Sequence, residues 1–333
     1  MKAVVLKAFG GIENLELQSV PDPVPGSGEA LLRVRACALN HLDLWIRAGL
    51  PGSKVKTPHI LGSDVAGEFD GRRVAVHPGL CCGACPACVD GRESDCPEFG
   101  IIGAYGGTPG GYAEKLAVKS NHLLDIPKGM SFEEAASLPL TLLTAWRMLK
   151  TLGEVKAGQT VLVIGAGAGV SVAGIQIAKA LGATVIATTS DAAKIERAKA
   201  LGADHVLHAP PAELARSVRQ LTGGALADVV FEHVGPALFA DALKSLRPSG
   251  RLVTCGSTSG PKVELDMRYI FSRQLQILGA RMGSLAEMRA AWRLVEEGSV
   301  KPVVDQVFSL DAAAAAHSRL ESRGQFGKVV LAL

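Results

Sequence analysis

Five of the seven cysteines in this 333-residue chain lie within sixteen residues, in the segment CCGACPACVDGRESDC. Four of them follow the spacing C-x2-C-x2-C-x7-C. Cysteines two residues apart on a tight turn can bring two thiolates to one ion at about 2.3 Å. Four thiolates without a histidine leave no open position for water or substrate, so we expect this site to organise a loop rather than to catalyse. The predicted ligands are Cys82, Cys85, Cys88 and Cys96.

The alternatives for this cluster are an iron–sulfur centre and disulfides. Ferredoxin-type runs also crowd cysteines and can end in Cys-Pro, as Cys96-Pro97 does, but their last gap is shorter. Clustered cysteines and the absence of a signal-peptide core in MKAVVLKAFGG indicate a reducing cytoplasm, where disulfides are rare. We therefore predict a cytoplasmic protein with one structural zinc ion per chain, and Cys81 as a neighbour that does not coordinate.

A glycine-rich turn in TVLVIGAGAGVSVAGIQIAK could bind a phosphate group. A strand ends there, small residues let the backbone approach a pyrophosphate, and the next helix offers free N–H groups. The loop departs from a strict G-x-G-x-x-G pattern and could be only a tight turn, but it heads a series of alternating strands and helices, which favours dinucleotide binding. The predicted contacts are Gly165, Gly167, Gly169, Val170 and Ser171.

The end of the second strand in this series, in ATTSDAAK, selects the cofactor. NAD sites place a carboxylate there to bind the ribose 2′-hydroxyl. Here the selecting position is Thr189 or Ser190, which is neutral, and Lys194 follows one helical turn later, so we favour NADP(H) over NAD(H). Asp191 could instead bind an unphosphorylated ribose, or cap the next helix.

The elements that hold these segments change along the chain. Short strands separated by Pro/Gly turns come first, and from Ser131, which forms a capping box with Glu134, strands alternate with helices. That alternation predicts an α/β fold with a parallel, doubly wound sheet, and the length predicts two domains. With 48% hydrophobic and 20% charged residues and a net charge of +3, the composition argues against nucleic acid or a membrane as partner. The uncharged run 161–178 fits a strand–turn–helix better than a membrane span.

Together with ALNHLDLWIRAG, GGYAEKLAV and FGKVVL, these motifs resemble the medium-chain dehydrogenase/reductase superfamily over essentially all residues. The resemblance implies a GroES-like catalytic domain (1–125 and 280–333, with the zinc lobe at 79–98) and a Rossmann domain (126–279). It also implies that Asn40 touches the nicotinamide or its ribose, that His41 reaches the pyrophosphate, that Thr144 packs on the nicotinamide and that Lys328 neutralises a cofactor phosphate. The alternatives are that Asn40 only stabilises a turn, that His41 lies on the surface, that Thr144 only packs within its helix and that Lys328 lies in solvent.

The sequence departs from the zinc alcohol dehydrogenases of that superfamily at the catalytic metal. The three ligand positions match Asn40, Ser63 and Leu140, and the proton-relay hydroxyl matches Leu42. An amide, a hydroxyl and a hydrocarbon do not make a zinc site. The chain is similar to the quinone oxidoreductases in having an asparagine at the first position, although those usually lack the cysteine lobe. The short loop EFDGRR, at 68–73, also departs from the family.

The predicted function is hydride transfer from NADPH to a quinone or another conjugated carbonyl without a catalytic zinc. Asp64 is a candidate catalytic residue, since a carboxylate in a cleft can have a perturbed pKa, but it could instead only hold structure through buried hydrogen bonds. One alternative is an alcohol dehydrogenase whose metal site is rebuilt from Asp64, His59 or Cys37. Another is an NADPH-binding protein with little turnover. The apolar segment RQLQILGARM predicts a homodimer or homotetramer, because it would otherwise form an open sheet edge.

Overall fold

The computed structural model describes residues 1–333 and divides them into two compact units. The first unit comprises Met1–Thr141, Met282–Glu296 and Pro302–Leu333, and the second comprises Leu142–Arg281 and Glu297–Lys301. The first division therefore falls after Thr141, whereas the sequence placed it at 125/126. The reason is that the helix Phe132–Ala136 packs on strands of the first unit.

The strands are numbered in chain order. They are β1 (Lys2–Leu6), β2 (Leu15–Ser19), β3 (Glu29–Ala38), β4 (His59–Ile60), β5 (Asp64–Phe69), β6 (Arg72–Val76), β7 (Gly79–Leu80), β8 (Gly100–Ile101), β9 (Lys115–Lys119), β10 (Leu123–Asp125), β11 (Thr160–Val163), β12 (Thr184–Thr188), β13 (His205–Leu207), β14 (Ala227–Glu232), β15 (Leu246–Thr254), β16 (Gln276–Gly279), β17 (Val304–Ser309) and β18 (Lys328–Ala332).

The α-helices are numbered in the same way. They are α1 (His41–Arg47), α2 (Pro86–Val89), α3 (Phe132–Ala136), α4 (Pro139–Trp146), α5 (Gly169–Ala180), α6 (Ile195–Ala200), α7 (Leu214–Leu221), α8 (Phe239–Lys244), α9 (Met267–Ser272), α10 (Leu285–Glu296) and α11 (Ala313–Glu321). A π-helical segment, Arg147–Leu152, continues α4.

The first unit is built on a seven-stranded sheet in the order β10-β6-β5-β3-β18-β17, with β9 also paired to β3. Strand β18 runs antiparallel to β3, with Leu331 opposite Cys37, so the C-terminal segment completes this unit as the sequence predicted. The backbone N–H of Leu39 donates to Val329 O at 2.9 Å. This pairing brings the start of β18 beside the residue that follows Leu39.

The second unit is built on six parallel strands in the order β13-β12-β11-β14-β15-β16. This order confirms the predicted doubly wound sheet. The direction of strand order reverses between β11 and β14, and ligands bind at such a point, beyond the carboxyl ends of the strands. The uncharged run 161–178 forms most of β11 and all of α5 except its last two residues, and most of the run is buried in this unit. No helix has the length and apolar character needed to cross a membrane.

The capping box at Ser131 is confirmed. The Glu134 N–H donates to Ser131 Oγ at 3.1 Å, and the Ser131 N–H donates to Glu134 Oε2 at 2.8 Å. The apolar helical pattern that follows in the sequence is interrupted, since α3 ends at Ala136 and α4 begins at Pro139. Proline has no N–H to donate and is favoured in the first turn of a helix, which explains the break.

Candidate active site and metal centre

The four predicted zinc ligands converge in the first unit. All four sulfur atoms lie within 4.8 Å of one another, with Cys82–Cys96 at 3.6 Å, Cys85–Cys88 at 3.5 Å and Cys82–Cys88 at 3.9 Å. Tetrahedral zinc with bonds of about 2.3 Å separates its sulfur ligands by roughly 3.8 Å. The four thiols therefore fit a closed structural zinc site.

Local backbone geometry favours the thiolate form of Cys82, one of the four cysteines. The N–H groups of Ala84 and Cys85 point at Cys82 Sγ, at 3.5 and 3.4 Å, and they lower the pKa of that thiol to about 6. A lowered pKa favours the thiolate that a metal requires. Cys81 lies outside the group of four, as predicted, and its carbonyl oxygen accepts a hydrogen bond from Lys119 Nζ at 2.9 Å.

A second polar cluster in the first unit joins Asn40, Asp64 and Lys328. The Lys328 ammonium donates to Asn40 Oδ1 at 2.6 Å and to Asp64 Oδ2 at 2.8 Å, and Asn40 Nδ2 donates to the same Asp64 oxygen at 2.9 Å. The exposed fractions are 7% for Asn40, 0% for Asp64 and 5% for Lys328. We call these three residues the Asn–Asp–Lys cluster. The sequence alternative that Lys328 lies in solvent is therefore wrong.

Three elements and a helix terminus position the Asn–Asp–Lys cluster. Asn40 caps α1 just after β3, Asp64 begins β5, and Lys328 begins β18. The other carboxylate oxygen, Asp64 Oδ1, accepts from the Leu140 N–H at 2.6 Å, at the start of α4. Each of the three residues is thus held at the end of a helix or strand, and these elements are far apart in the sequence.

The Asp43 carboxylate holds the backbone of Asn40 in place. Its carboxylate accepts from the Asn40 N–H at 2.7 Å and from the Gly62 N–H at 3.1 Å. It is fully buried, and burial raises its pKa to about 7. This carboxyl group therefore holds backbone rather than facing a ligand.

The first unit does not fit a catalytic zinc at the positions used by the zinc alcohol dehydrogenases. Asn40 and Ser63 supply weak neutral donors and Leu140 supplies none, while Asp64 is already neutralised by Lys328. The rebuilt set of Asp64, His59 and Cys37 is not assembled either, because the four-cysteine cluster is the one group of three or more His, Cys, Asp or Glu donors in the structure. Burial also raises the pKa of the Cys37 thiol well above its usual value.

The glycine loop has the predicted strand–turn–helix form. Strand β11 ends at Val163, and α5 begins at Gly169. Gly165 has φ +73°, a conformation that favours glycine, and its N–H donates to Thr188 Oγ1 at 3.1 Å. The N–H groups of Gly169, Val170 and Ser171 open the helix and have no intrahelical partner, so they can bind an anion.

The Ser171 side chain differs from the prediction. Its hydroxyl donates to Ile164 O at 2.8 Å, lies 2.8 Å from His233 Nε2 and is fully buried. A predicted contact between Ser171 and the cofactor is therefore limited to its backbone N–H. The hydroxyl links Ile164, just after β11, to His233, just after β14. Because side-chain burial depends on the tertiary fold, no local pattern could have revealed this contact.

The selecting position follows β12, which ends at Thr188. Thr189 is buried, and its Oγ1 accepts from the Asp191 N–H at 3.1 Å. The Asp191 carboxylate accepts from the Ala193 N–H at 2.9 Å, so the capping interpretation of Asp191 accounts for its contact. Ser190 is exposed and Lys194 is half-buried at the end of the capped turn.

Two polar residues at the carboxyl ends of the parallel strands, His208 and Glu232, were not singled out by the sequence analysis. His208, just beyond β13, places Nδ1 at 3.0 Å from Thr189 O, so Nδ1 carries a proton. Glu232, at the end of β14, is fully buried, accepts from the Val234 and Gly235 N–H groups, and has its pKa raised by burial. The available signal was the position of each residue at the carboxyl end of a predicted parallel strand.

His41 and Thr144 are the remaining predicted contacts. His41 begins α1 and is half-buried, and burial lowers its pKa to about 4, so the imidazole is neutral near pH 7. A neutral imidazole can donate one hydrogen bond to a phosphate but brings no charge. Thr144 is buried on α4, the helix whose first turn binds Asp64.

Comparison with known proteins gives matches over both units. The family model described as alcohol dehydrogenase GroES-like domain matches residues 26–128, and the one described as zinc-binding dehydrogenase matches 169–297. The chain is 31% identical to acryloyl-coenzyme A reductase of Sulfurisphaera tokodaii and 32% identical to quinone oxidoreductase of Pseudomonas aeruginosa, each over 99% of both chains. A crystal structure of an NAD-dependent alcohol dehydrogenase matches with a TM-score of 0.96 and 45% identity, covering 100% of both chains.

Proposed function

The chain belongs to the medium-chain dehydrogenase/reductase superfamily of NAD(P)-dependent zinc-type dehydrogenases and reductases, and we propose that within it the protein transfers hydride from NADPH to a quinone or another conjugated carbonyl without a catalytic zinc. The observation that carries this proposal is the Asn–Asp–Lys cluster. The buried Lys328 ammonium group neutralises the Asp64 carboxylate, which lies beside the positions where zinc alcohol dehydrogenases bind their metal.

The residues of this chain would then bind and orient the reactants. The N–H groups of Gly169, Val170 and Ser171 hold the pyrophosphate, with Gly165 and Gly167 allowing close approach. When bound, the reduced nicotinamide supplies the hydride. A conjugated acceptor is electron-poor and needs less polarisation than a simple ketone, so proximity and orientation can supply much of the rate enhancement. Water supplies the proton.

Two relatives support a conjugated acceptor, since their names are acryloyl-coenzyme A reductase and quinone oxidoreductase. The second candidate function is alcohol oxidation, favoured by the likeness to the NAD-dependent alcohol dehydrogenase.

The end of β12 supports NADP(H) over NAD(H) as the cofactor. Ser190 is exposed there, and the carboxylate of the neighbouring Asp191 is engaged in capping the next turn. The proposed metal content is one structural zinc per chain, held by the four cysteines.

Metal content and activity should be measured on one preparation. We expect one zinc per chain by elemental analysis, together with NADPH oxidation by 1,4-benzoquinone or methyl vinyl ketone that survives brief chelator treatment. Two zinc ions per chain with chelator-sensitive alcohol oxidation would favour the second candidate instead. Tight NADPH binding without turnover on either class of acceptor would indicate a cofactor-binding protein and contradict the proposal.

A further inference from the structure

We propose that the Lys328–Asp64 ion pair takes the place of a catalytic metal by holding the Asn40 amide as a hydrogen-bond donor to the substrate carbonyl oxygen. The inference rests on the proposed function, because it requires an acceptor that carries such an oxygen. In this assignment Asn40 is the catalytic residue, and Lys328 and Asp64 are positioning residues.

The two charged partners allow the Asn40 amide only one orientation. An ammonium group can only donate and an ionised carboxylate can only accept, so Oδ1 must face Lys328 at 2.6 Å and Nδ2 must face Asp64 at 2.9 Å. A flipped amide would set N–H against N–H and oxygen against oxygen. The amide nitrogen carries two hydrogens, and the contact with Asp64 uses one of them. The second hydrogen is the donor that we assign to the substrate.

The supports of the amide are themselves rigid. Asp64 is fully buried and bound at both oxygens, one of them by the Leu140 N–H at 2.6 Å. The Asn40 backbone is held by the Asp43 carboxylate at 2.7 Å. A donor that is fixed before the reaction stabilises developing charge without the cost of reorganisation, which is the usual advantage of an oxyanion hole.

The charge of Lys328 also strengthens this donor. Its ammonium group binds Asn40 Oδ1 and draws electron density from the amide, and chains of hydrogen bonds polarise one another in this way. The cluster thus places a positive charge one amide group away from the proposed oxygen. A divalent ion would contact that oxygen directly, whereas here an N–H group does.

The reaction step balances without a metal. Hydride from NADPH forms a C–H bond at the β-carbon of an enone, the C=C π electrons move toward the carbonyl, and the oxygen becomes an enolate oxyanion. The Asn40 N–H donates a hydrogen bond to that oxyanion and transfers no proton. A proton from water then forms the C–H bond at the α-carbon, so the acceptor is reduced by two electrons and NADPH becomes NADP⁺.

The test compares Asn40→Ala, Lys328→Arg and Lys328→Met with Ser318→Ala in the full-length zinc-loaded protein. Ser318 is the control because it is exposed on α11 of the first unit, where its hydroxyl donates to Ala314 O of the same helix at 3.1 Å. With methyl vinyl ketone and saturating NADPH, we expect Asn40→Ala to lower kcat by about 100- to 1,000-fold, the usual effect of removing one oxyanion donor. The Kd for NADPH, from fluorescence titration, should change less than threefold.

The lysine variants separate positioning from simple folding. Lys328→Arg keeps the cation and should retain kcat within about tenfold, whereas Lys328→Met should approach Asn40→Ala, because the amide loses its oriented partner. If Lys328→Met does not fold, Asn40→Ala and Lys328→Arg still decide the question. The kinetic isotope effect from deuterated NADPH should rise in Asn40→Ala, because slower hydride transfer becomes rate-limiting.

Two results would overturn the inference. One is an Asn40→Ala protein with near wild-type kcat. The other is a Kd for NADPH that rises in parallel with the loss of kcat/KM, which would place the Asn40 contact on the cofactor. Failure of the proposed function is a different outcome, because the wild-type protein itself would then show no NADPH-dependent reduction of the enone.

Discussion

At the residue scale, burial keeps four histidines neutral near pH 7. Burial lowers the pKa of His77 and His317 to about 3 and that of His41 and His122 to about 4. His317 is buried between two polar partners: Arg47 Nη1 lies 3.2 Å from its Nδ1, and the Tyr112 hydroxyl lies 3.2 Å from its Nε2. The positive charge of Arg47 adds to the effect of burial in lowering the pKa of this imidazole. A guanidinium group can only donate, so Nδ1 accepts and the ring proton sits on Nε2.

This arrangement makes His317 a source of acid sensitivity. Its folded pKa of about 3 lies below its ordinary value of 6.5, so its stabilising contribution is present above pH 6.5 and is lost as the pH falls toward 3. Between pH 7 and 5 this one group should lower the free energy of unfolding by about 2 kcal/mol.

His317→Gln keeps one acceptor for Arg47 and one donor for Tyr112 but cannot titrate. Urea titrations at pH 7 and pH 5 give the free energy of unfolding of both proteins at each pH. We expect the decrease from pH 7 to pH 5 to be about 2 kcal/mol smaller in His317→Gln than in the wild type. Both proteins carry the same cysteines, so acid effects on bound zinc cancel in the comparison. Identical pH dependence in the two proteins would contradict the assignment.

The cysteine lobe gives a second prediction from single side chains. Cys96→Ser should reduce zinc content from one ion per chain to well below one and lower thermal stability, since three thiolates and a hydroxyl hold zinc poorly. Cys81→Ser is the matched control and should keep one zinc per chain, because Cys81 lies outside the cluster. Elemental analysis checks both variants, and equal zinc loss in both would contradict the ligand set.

At the element scale, cofactor choice depends on the end of β12. Ser190 is exposed there, while the Thr189 hydroxyl and the Asp191 carboxylate are engaged in local hydrogen bonds. Ser190→Asp should raise the Kd for NADPH by tenfold or more, because a carboxylate repels the 2′-phosphate, and leave that for NADH unchanged or lower. Fluorescence titration with both cofactors checks this, and a parallel change in the two constants would argue against a selecting role.

Elements with strong local signals could be predicted from sequence, but contacts between distant elements could not. The alternating pattern gave the six parallel strands, and the capping pair Ser131–Glu134 gave the start of α3. The cysteine spacing was sufficient to predict the zinc ligands because the four cysteines lie close together in the sequence. The Asn–Asp–Lys cluster joins residues 264 and 288 positions apart, and only the pairing of β18 with β3 reveals it. Helix α4 starts anew at Pro139, because proline has no N–H to continue the hydrogen bonding of the preceding helix.

At the scale of the whole molecule, one sheet edge is the basis of our prediction that the chain self-associates. Strand β16 ends the six-stranded sheet and carries exposed Ile277, and the preceding α9 exposes Met267 and Phe271. An apolar sheet edge is a template for pairing, so the homodimer remains our prediction. Ile277→Lys should shift the protein toward monomer in light scattering after gel filtration. Val24→Lys is the control, because Val24 is 89% exposed in the first unit, and it should leave the mass unchanged.

Because β18 pairs with β3, the sheet of the first unit cannot be completed until the C-terminal strand has been synthesised. Asp64 emerges 264 residues before Lys328, which at typical synthesis rates is a delay of roughly 13 to 53 s. Throughout that interval the nascent chain carries an aspartate without its lysine, while the entire second unit is being translated. The strand that supplies the ammonium group is therefore made after the second unit, and the Asn–Asp–Lys cluster is the last part of the first unit that can be completed.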